Sequence, residues 1–349
     1  MNVLVTGHHG YIGSIVAPAI AAAGHDVNGV DTFFYEGCDF GDEPATPAAM
    51  RADIRDLRVA DLESYQAIVH LAALSNDPLG AFDPELTLDI NYRGTVELAR
   101  KAREAGVERF VFASSCSMYG AAEGDERVTE EAPLRPLTAY AESKVRAEEG
   151  LAELADSDFA PVFMRNATAY GVSPRLRFDV VVNNLCGWAH TTKRVCILSD
   201  GTPWRPIVHV ADIAAATVAI LAAPVDLLRN EAFNVGTDAE NYQVRELAEI
   251  VRTTFPGCAI EYAEDAGPDP RSYRVDFGKF ASAFPDFNPQ WTAADGAREL
   301  RGAFERVRLS ADAFQGDKYT RLSRLKLLTE TGRLDDDFRW NQAPRVEVG

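Results

Sequence analysis

The 349-residue sequence predicts an α/β fold: a doubly wound parallel sheet with a smaller C-terminal substrate-binding lobe. Three observations carry that prediction. Short apolar runs alternate with longer amphipathic segments through the first half. A glycine-rich turn, Gly7-His8-His9-Gly10-Tyr11-Ile12-Gly13, joins the first apolar run to the first amphipathic segment. After Arg165 the rhythm breaks, with proline and glycine at 171–174 and 201–206. Strands alternating with helices imply a parallel sheet covered on both faces. Right-handed crossovers then bring the C-terminal ends of the strands to one edge, where ligands bind.

In order, the pattern predicts a strand at 2–6, a helix at 11–23, and strands at 25–31, 67–71 and 109–114. A helix at 91–105 precedes the last of these. Residues 1–171 form a Rossmann-type dinucleotide-binding domain with later returns near 205–236. Residues 172–309 form an interleaved substrate-binding lobe, and 310–349 a helical appendage. Leu322, Leu325 and Leu328 in that appendage are spaced for one helix face, which packs on the body.

Hydrophobic residues make up 46% of the chain, enough for a sizeable core, and the formal net charge is −18. Such a surface repels nucleic acid and anionic membranes, so neither is an expected partner. Phosphate ligands stay possible, because local amides and a few arginines can hold one. The five cysteines, Cys38, Cys116, Cys186, Cys196 and Cys258, contain no Cys-x-x-Cys pair. This points to a reduced cytoplasmic protein without a metal site or disulfide framework. The opening MNVLVTG lacks the basic and apolar regions of a signal peptide, and no apolar run approaches the ~20 residues of a membrane span.

The spacing Gly7, Gly10, Gly13 suits a dinucleotide pyrophosphate. Glycines permit the tight turn and close backbone approach, while Tyr11 and Ile12 open a helix whose N-terminal amides attract phosphate. Asp31 ends the second strand, where a carboxylate accepts from the ribose hydroxyls and repels a 2′-phosphate. No arginine follows in Thr32-Phe33-Phe34, which favours NAD over NADP. His8 and His9 border this loop incidentally, and His70 is a structural residue of a buried strand.

Tyr140 and Lys144, four apart on a helix, share one face. An ammonium near a phenol stabilises the phenolate, so Tyr140 can exchange a proton with a hydroxyl or ketone while hydride moves to or from nicotinamide. Lys144 can also hold the nicotinamide ribose. The strand at 109–114 delivers Ser114, Ser115 and Ser117 nearby, and a hydroxyl there can bond the same substrate oxygen. Leu71, Ala72 and Ala73 let a cofactor lie close to the backbone. Ser75 and Asn76 follow where a sugar would lie, although Asn76 can equally cap the next turn. Asn91 opens the following helix.

TGHHGYIG, DIRD, HLAA, NYRGT, SSCSMYG and YAESK occur in the order found in extended short-chain dehydrogenases, and the chain resembles their nucleotide-sugar epimerase/dehydratase family over roughly residues 1–300. RNATAYG, DGTPWRPIVHVADIA and FNVGT extend the likeness. The resemblance implies Ser115, Tyr140 and Lys144 as the catalytic set. It adds Asp53 and Ile54 at the adenine, and Asn91 and Ser114 at the cofactor. Asn184, Arg205 and Arg271 fall around the nucleotide diphosphate, and Thr168 stands where the family usually has asparagine. Sugar 4,6-dehydratases of the family carry Thr-Asp-Glu where this chain has Ser115-Cys116-Ser117, which disfavours that reaction. The family also implies a homodimer, through helices beginning near Asn91 and Tyr140. Three functions stay open: an NAD-dependent nucleotide-sugar epimerase, C4 first; an NAD(P)H-dependent keto-sugar or ketone reductase; and a non-catalytic dinucleotide sensor.

Overall fold

A computed structural model describes residues 1–41, 47–121, 127–267, 269–341 and 346–348, without the side chains of 264–266 and 346–348. Its strands are β1 (Asn2–Thr6), β2 (Asp26–Asp31), β3 (Ala49–Arg51), β4 (Ala67–His70), β5 (Arg109–Ser115), β6 (Ala160–Asn166), β7 (Thr168–Tyr170), β8 (Arg194–Ser199), β9 (Trp204–His209), β10 (Glu231–Val235), β11 (Asn241–Gln243), β12 (Ala259–Gly267) and β13 (Val346–Val348). The main sheet runs β10-β6-β5-β4-β1-β2-β3-β13. Its first seven strands are parallel, and β13 closes the edge antiparallel to β3.

The central strands are covered on both faces, so they read as continuous apolar runs rather than alternating ones. Every residue of β4 and β6 is buried. The helix Gly13–Ala22 packs on one face beside the helix Val210–Ala222, and the helix Gly94–Glu104 lies on the other. That helix lies against the helix Ala139–Ala152, and the pair turns Glu97, Arg100, Arg146 and Glu149 outward.

Two expectations change. Trp204–His209 does not return to the main sheet: β9 pairs with β7 and β11 in a separate three-stranded sheet, and the returning strand is β10. The helix expected at 91–105 begins instead as a π turn, Asp89–Arg93, and continues as an α-helix from Gly94. The wider turn changes the phase of the side chains there.

The C-terminal segment packs on the body through the leucine face of the helix Arg321–Glu330. Leu325 and Leu328 are buried, with Leu322 beside them, against Phe34, Leu74, Leu79, Leu86 and Ile90. Among the described residues no helix is long and apolar enough to cross a membrane.

Candidate active site

A cleft of about 1030 Å³ opens at the C-terminal ends of the parallel strands. The glycine turn forms one wall. Gly7 has φ +75°, and a Cβ on it would stand 2.7 Å from the amide nitrogen of Ala72. A Cβ on Gly13 would overlap the carbonyl oxygen of Gly7. These positions accept no side chain, as a cradle for a closely approaching pyrophosphate requires. Gly10, Tyr11 and Ile12 complete this wall, and Leu71, Ala72, Ala73 and Ser114 line the floor.

Asp31 lines the cleft, and its carboxylate is held by the amides of His9 at 3.0 Å and Phe33 at 2.8 Å. Arg51, in register with Asp31 on the neighbouring strand, lies 4.4 Å over the Phe33 ring and pairs with Glu36 at 2.6 Å. This arginine, twenty residues away in sequence, was invisible to a search of the residues next to Asp31. His8 packs on Gly29, and His9 bonds Arg175. Burial, then the charge of Arg175, pulls His9 down to about 3, so it stays neutral.

Asp53 and Ile54 also line the cleft. Asp53 caps the short turn that follows it and is gripped by Arg55 at 2.8 Å, with Arg339 at 3.4 Å. Asn91 is a correction. It is buried behind the cleft wall, and its amide clasps the backbone of Leu74, accepting at 2.8 Å and donating at 3.0 Å. With the π turn setting its phase, it shapes the loop at Leu74 rather than meeting the cofactor.

Ser115, Tyr140 and Lys144 converge on the cleft floor. The Ser115 hydroxyl accepts from the Ser117 amide at 3.1 Å and is near enough to the Tyr140 phenol to favour its ionised form. Gly80 sits under the tyrosine: a Cβ there would meet the Tyr140 nitrogen at 2.9 Å. Burial pushes Tyr140 up to about 12 despite the Ser115 hydroxyl, and pulls Lys144 down to about 7. Desolvation thus dominates the phenol in the protein without ligand, and Lys144 is not among the groups that lower it. Cys116 turns into the core, its thiol directed at the Arg165 carbonyl. His70 is bonded to Thr6 at 2.6 Å and Thr95 at 2.8 Å, a structural role.

Ser75, Asn76, Ser117, Thr168, Asn184, Arg205 and Arg271 all line the same cleft. Asn76 caps the helix Asp77–Phe82 and also donates to Asp179 at 2.6 Å. Asn184 donates to the Phe178 carbonyl at 3.0 Å. Arg205 and Arg271 share Asp269, each at 2.7 Å, and Arg271 also pairs with Asp77. The Ser117 hydroxyl and the amide oxygen of Asn166 are buried in the cleft wall without a partner among the described residues.

Sequence reasoning missed Asn166, Asp269, Tyr273, and a cluster of Tyr35, Arg177, Asp179 and Arg321. The only signal for the cluster was the unusual density of charge in PRLRFD.

Residues 3–236 match the model of the NAD dependent epimerase/dehydratase family. The UDP-glucose 4-epimerase of Streptomyces lividans is 30% identical over 71% of this chain and 79% of its own. That of Mycolicibacterium smegmatis is 32% identical over 71% and 80%. Among solved structures, the UDP-glucose 4-epimerase of Thermus thermophilus in complex with NAD superposes with TM-score 0.74 at 26% identity, covering 87% of this chain and 99% of that one. MoeE5 in complex with UDP-glucuronic acid and NAD gives TM-score 0.75 at 28% identity, covering 88% and 100%. The chain belongs to the NAD-dependent epimerase/dehydratase family, and NAD is its cofactor.

Proposed function

We propose that the protein is a nucleotide-sugar epimerase acting at C4 of a hexose through a transient keto-sugar. The observation that carries this reading is that Ser115, Tyr140 and Lys144 line one cleft together, with Cys116 turned away from it. Proton transfer at one hydroxyl has its acid/base, while water elimination lacks a carboxylate pair at that strand end. NAD, which the glycine turn Gly7–Gly13 and Asp31 would hold, would supply reversible hydride acceptance at the sugar carbon. Tyr140 takes the hydroxyl proton in the first half and gives it back in the second. Ser115 holds the same oxygen and favours the phenolate, and Lys144 holds the nicotinamide ribose. Asn184, Arg205 and Arg271 receive the nucleotide diphosphate, leaving the hexose between Ser75, Asn76, Ser117 and Thr168.

The test has two parts. Mass spectrometry of small molecules released from purified protein is expected to find stoichiometric NAD⁺. Chromatography of UDP-, dTDP-, GDP- and CDP-sugars incubated with the enzyme is expected to show one epimer pair with no added cofactor. Turnover that consumes NADH or NADPH mole for mole would establish a reductase instead.

A further inference from the structure

We infer that Arg321, brought to the cleft by the C-terminal helix, is with Arg177 a ligand of the cofactor's pyrophosphate. The inference rests on NAD being the cofactor. Arg321 is the first residue of the helix Arg321–Glu330 and is 2% exposed, yet it lines the cleft. One amino group donates to the Arg175 carbonyl at 2.6 Å, and the other, Nη1, has no partner among the described residues. Arg177 repeats the pattern: Nε donates to Asp179 at 2.5 Å, Nη1 to Ser75 at 2.8 Å, and Nη2 has no such partner.

Charge balance points the same way. Arg175 is paired with Asp39. Asp179 pairs with Arg177, and from Arg321 it accepts only the backbone amide, at 3.3 Å. One buried guanidinium is left without its own carboxylate, a costly arrangement unless an anion completes it. Two planar guanidinium edges facing one space suit phosphate oxygens.

Position selects the cofactor's diphosphate over that of the sugar nucleotide. The Arg321 guanidinium lies 4.2 Å over the Tyr35 ring, four residues beyond Asp31. The Arg177 carbonyl accepts from Asn183 at 3.0 Å, and Asn183 also donates to the hydroxyl of Tyr11 in the glycine turn at 3.0 Å. The Arg177 backbone is therefore anchored to the turn that cradles NAD while its side chain reaches Ser75, and Arg321 stacks beside the strand end that carries Asp31. Arg205 and Arg271, assigned to the sugar nucleotide, already have Asp269 and Asp77.

The segment carrying Arg321 is tied down along the adenosine side. Trp340 donates to the Thr32 carbonyl at 2.6 Å, Arg339 pairs with Asp56 at 2.6 Å, and the Tyr319 carbonyl accepts from the Phe178 amide at 2.9 Å. Arg321 is thus fixed at the cleft by contacts on either side of it in the chain.

The experiment is calorimetry on protein stripped of cofactor, comparing wild type with Arg321→Gln, with melting temperature reporting the fold. NAD and ADP-ribose are expected to weaken at least tenfold, as for loss of a charge-assisted bond. Adenosine and UDP should stay within twofold. NAD affinity within twofold of wild type would overturn the inference, as would loss of UDP binding with NAD retained, which would assign the arginine to the sugar nucleotide. If Arg321→Gln does not fold, Arg321→Lys carries the test, keeping charge but not the fork: NAD at least threefold weaker supports the inference, and unchanged NAD overturns it. Wild-type protein that binds neither NAD nor adenosine would overturn the cofactor assignment itself.

Discussion

The ammonium of Lys144 donates to the carbonyl of Ala113 at 2.7 Å, while the Tyr140 ring centre lies 5.9 Å away. The two residues share a helix face but not a hydrogen bond, and the neighbour that favours the phenolate is the Ser115 hydroxyl. On the proposed mechanism, Tyr140→Phe keeps the ring and removes the transferable proton. Turnover is expected to fall by about 10²–10⁴-fold, with NAD affinity and melting temperature unchanged. More than half of normal activity on any accepted sugar would remove Tyr140 from the chemistry.

The buried lysine also predicts a pH dependence of stability. Folding pulls Lys144 down to about 7, whereas the unfolded chain keeps that proton to about 10.4. Above pH 7 the unfolded state therefore binds more protons, and this residue's penalty on the fold shrinks as pH rises. Buried thiols such as Cys116 and Cys186, pushed up by desolvation, act in the opposite sense at higher pH. The useful window is roughly pH 7 to 8.5. Melting of cofactor-free protein is expected to show a more positive slope with pH there for wild type than for Lys144→Met. Equal slopes would mean that Lys144 titrates normally.

Cofactor choice should depend on a balance between Asp31 and its neighbour Arg51. Asp31 predicts at least a tenfold preference for NAD over NADP, or ~1.4 kcal/mol. Arg51 is restrained by Glu36 at 2.6 Å. Replacing Asp31→Ser together with Glu36→Gln removes the repelling carboxylate and frees a guanidinium beside the ribose. The preference is expected to shift towards NADP by tenfold or more in calorimetry, and an unshifted ratio would refute the balance.

Asp269 occupies the donors that the proposed sugar nucleotide needs. It holds both Arg205 and Arg271 at 2.7 Å, so a diphosphate must compete with a carboxylate already in place. Asp269→Asn is expected to tighten UDP binding several-fold, on the order of 1 kcal/mol, and Arg271→Ala to weaken it at least tenfold. Weaker UDP binding in Asp269→Asn would show that the carboxylate positions the arginines instead.

The parallel sheet was legible because strands such as AIVH and RFVFAS carry runs of consecutive apolar residues, and the glycine turn because its spacing has a steric cause; β6 at 160–166 was not read from the sequence. The pairing of β7, β9 and β11 was not, since the three-residue β7 and β11 carry too little pattern to mark them as partners of the six-residue β9. Asn91 misled because it opens a helix at a ligand-facing edge; one wide turn, unsignalled in the residues, redirects it to Leu74. Arg177 and Arg321 lie 144 positions apart and meet only because the leucine face of the last helix docks on Phe34 and Leu74. No local pattern encodes that meeting.

The way Tyr11 is fastened bears on how the molecule moves. Its hydroxyl donates to the Gly171 carbonyl at 2.8 Å, and its own carbonyl accepts from Ser173 at 2.7 Å, which in turn meets Ser14 at 2.9 Å. All of these side chains are buried. The junction between the dinucleotide-binding sheet and the rest of the chain is therefore a weld, not a hinge of loosely held loop residues. Amides around 171–173 should rank among the slowest to exchange with solvent. On the proposed function, sugar nucleotides are then expected to enter and leave by rearrangement at the rim, where Leu137 and Leu198 stand 49% and 71% exposed, rather than by rotation of one half of the molecule on the other.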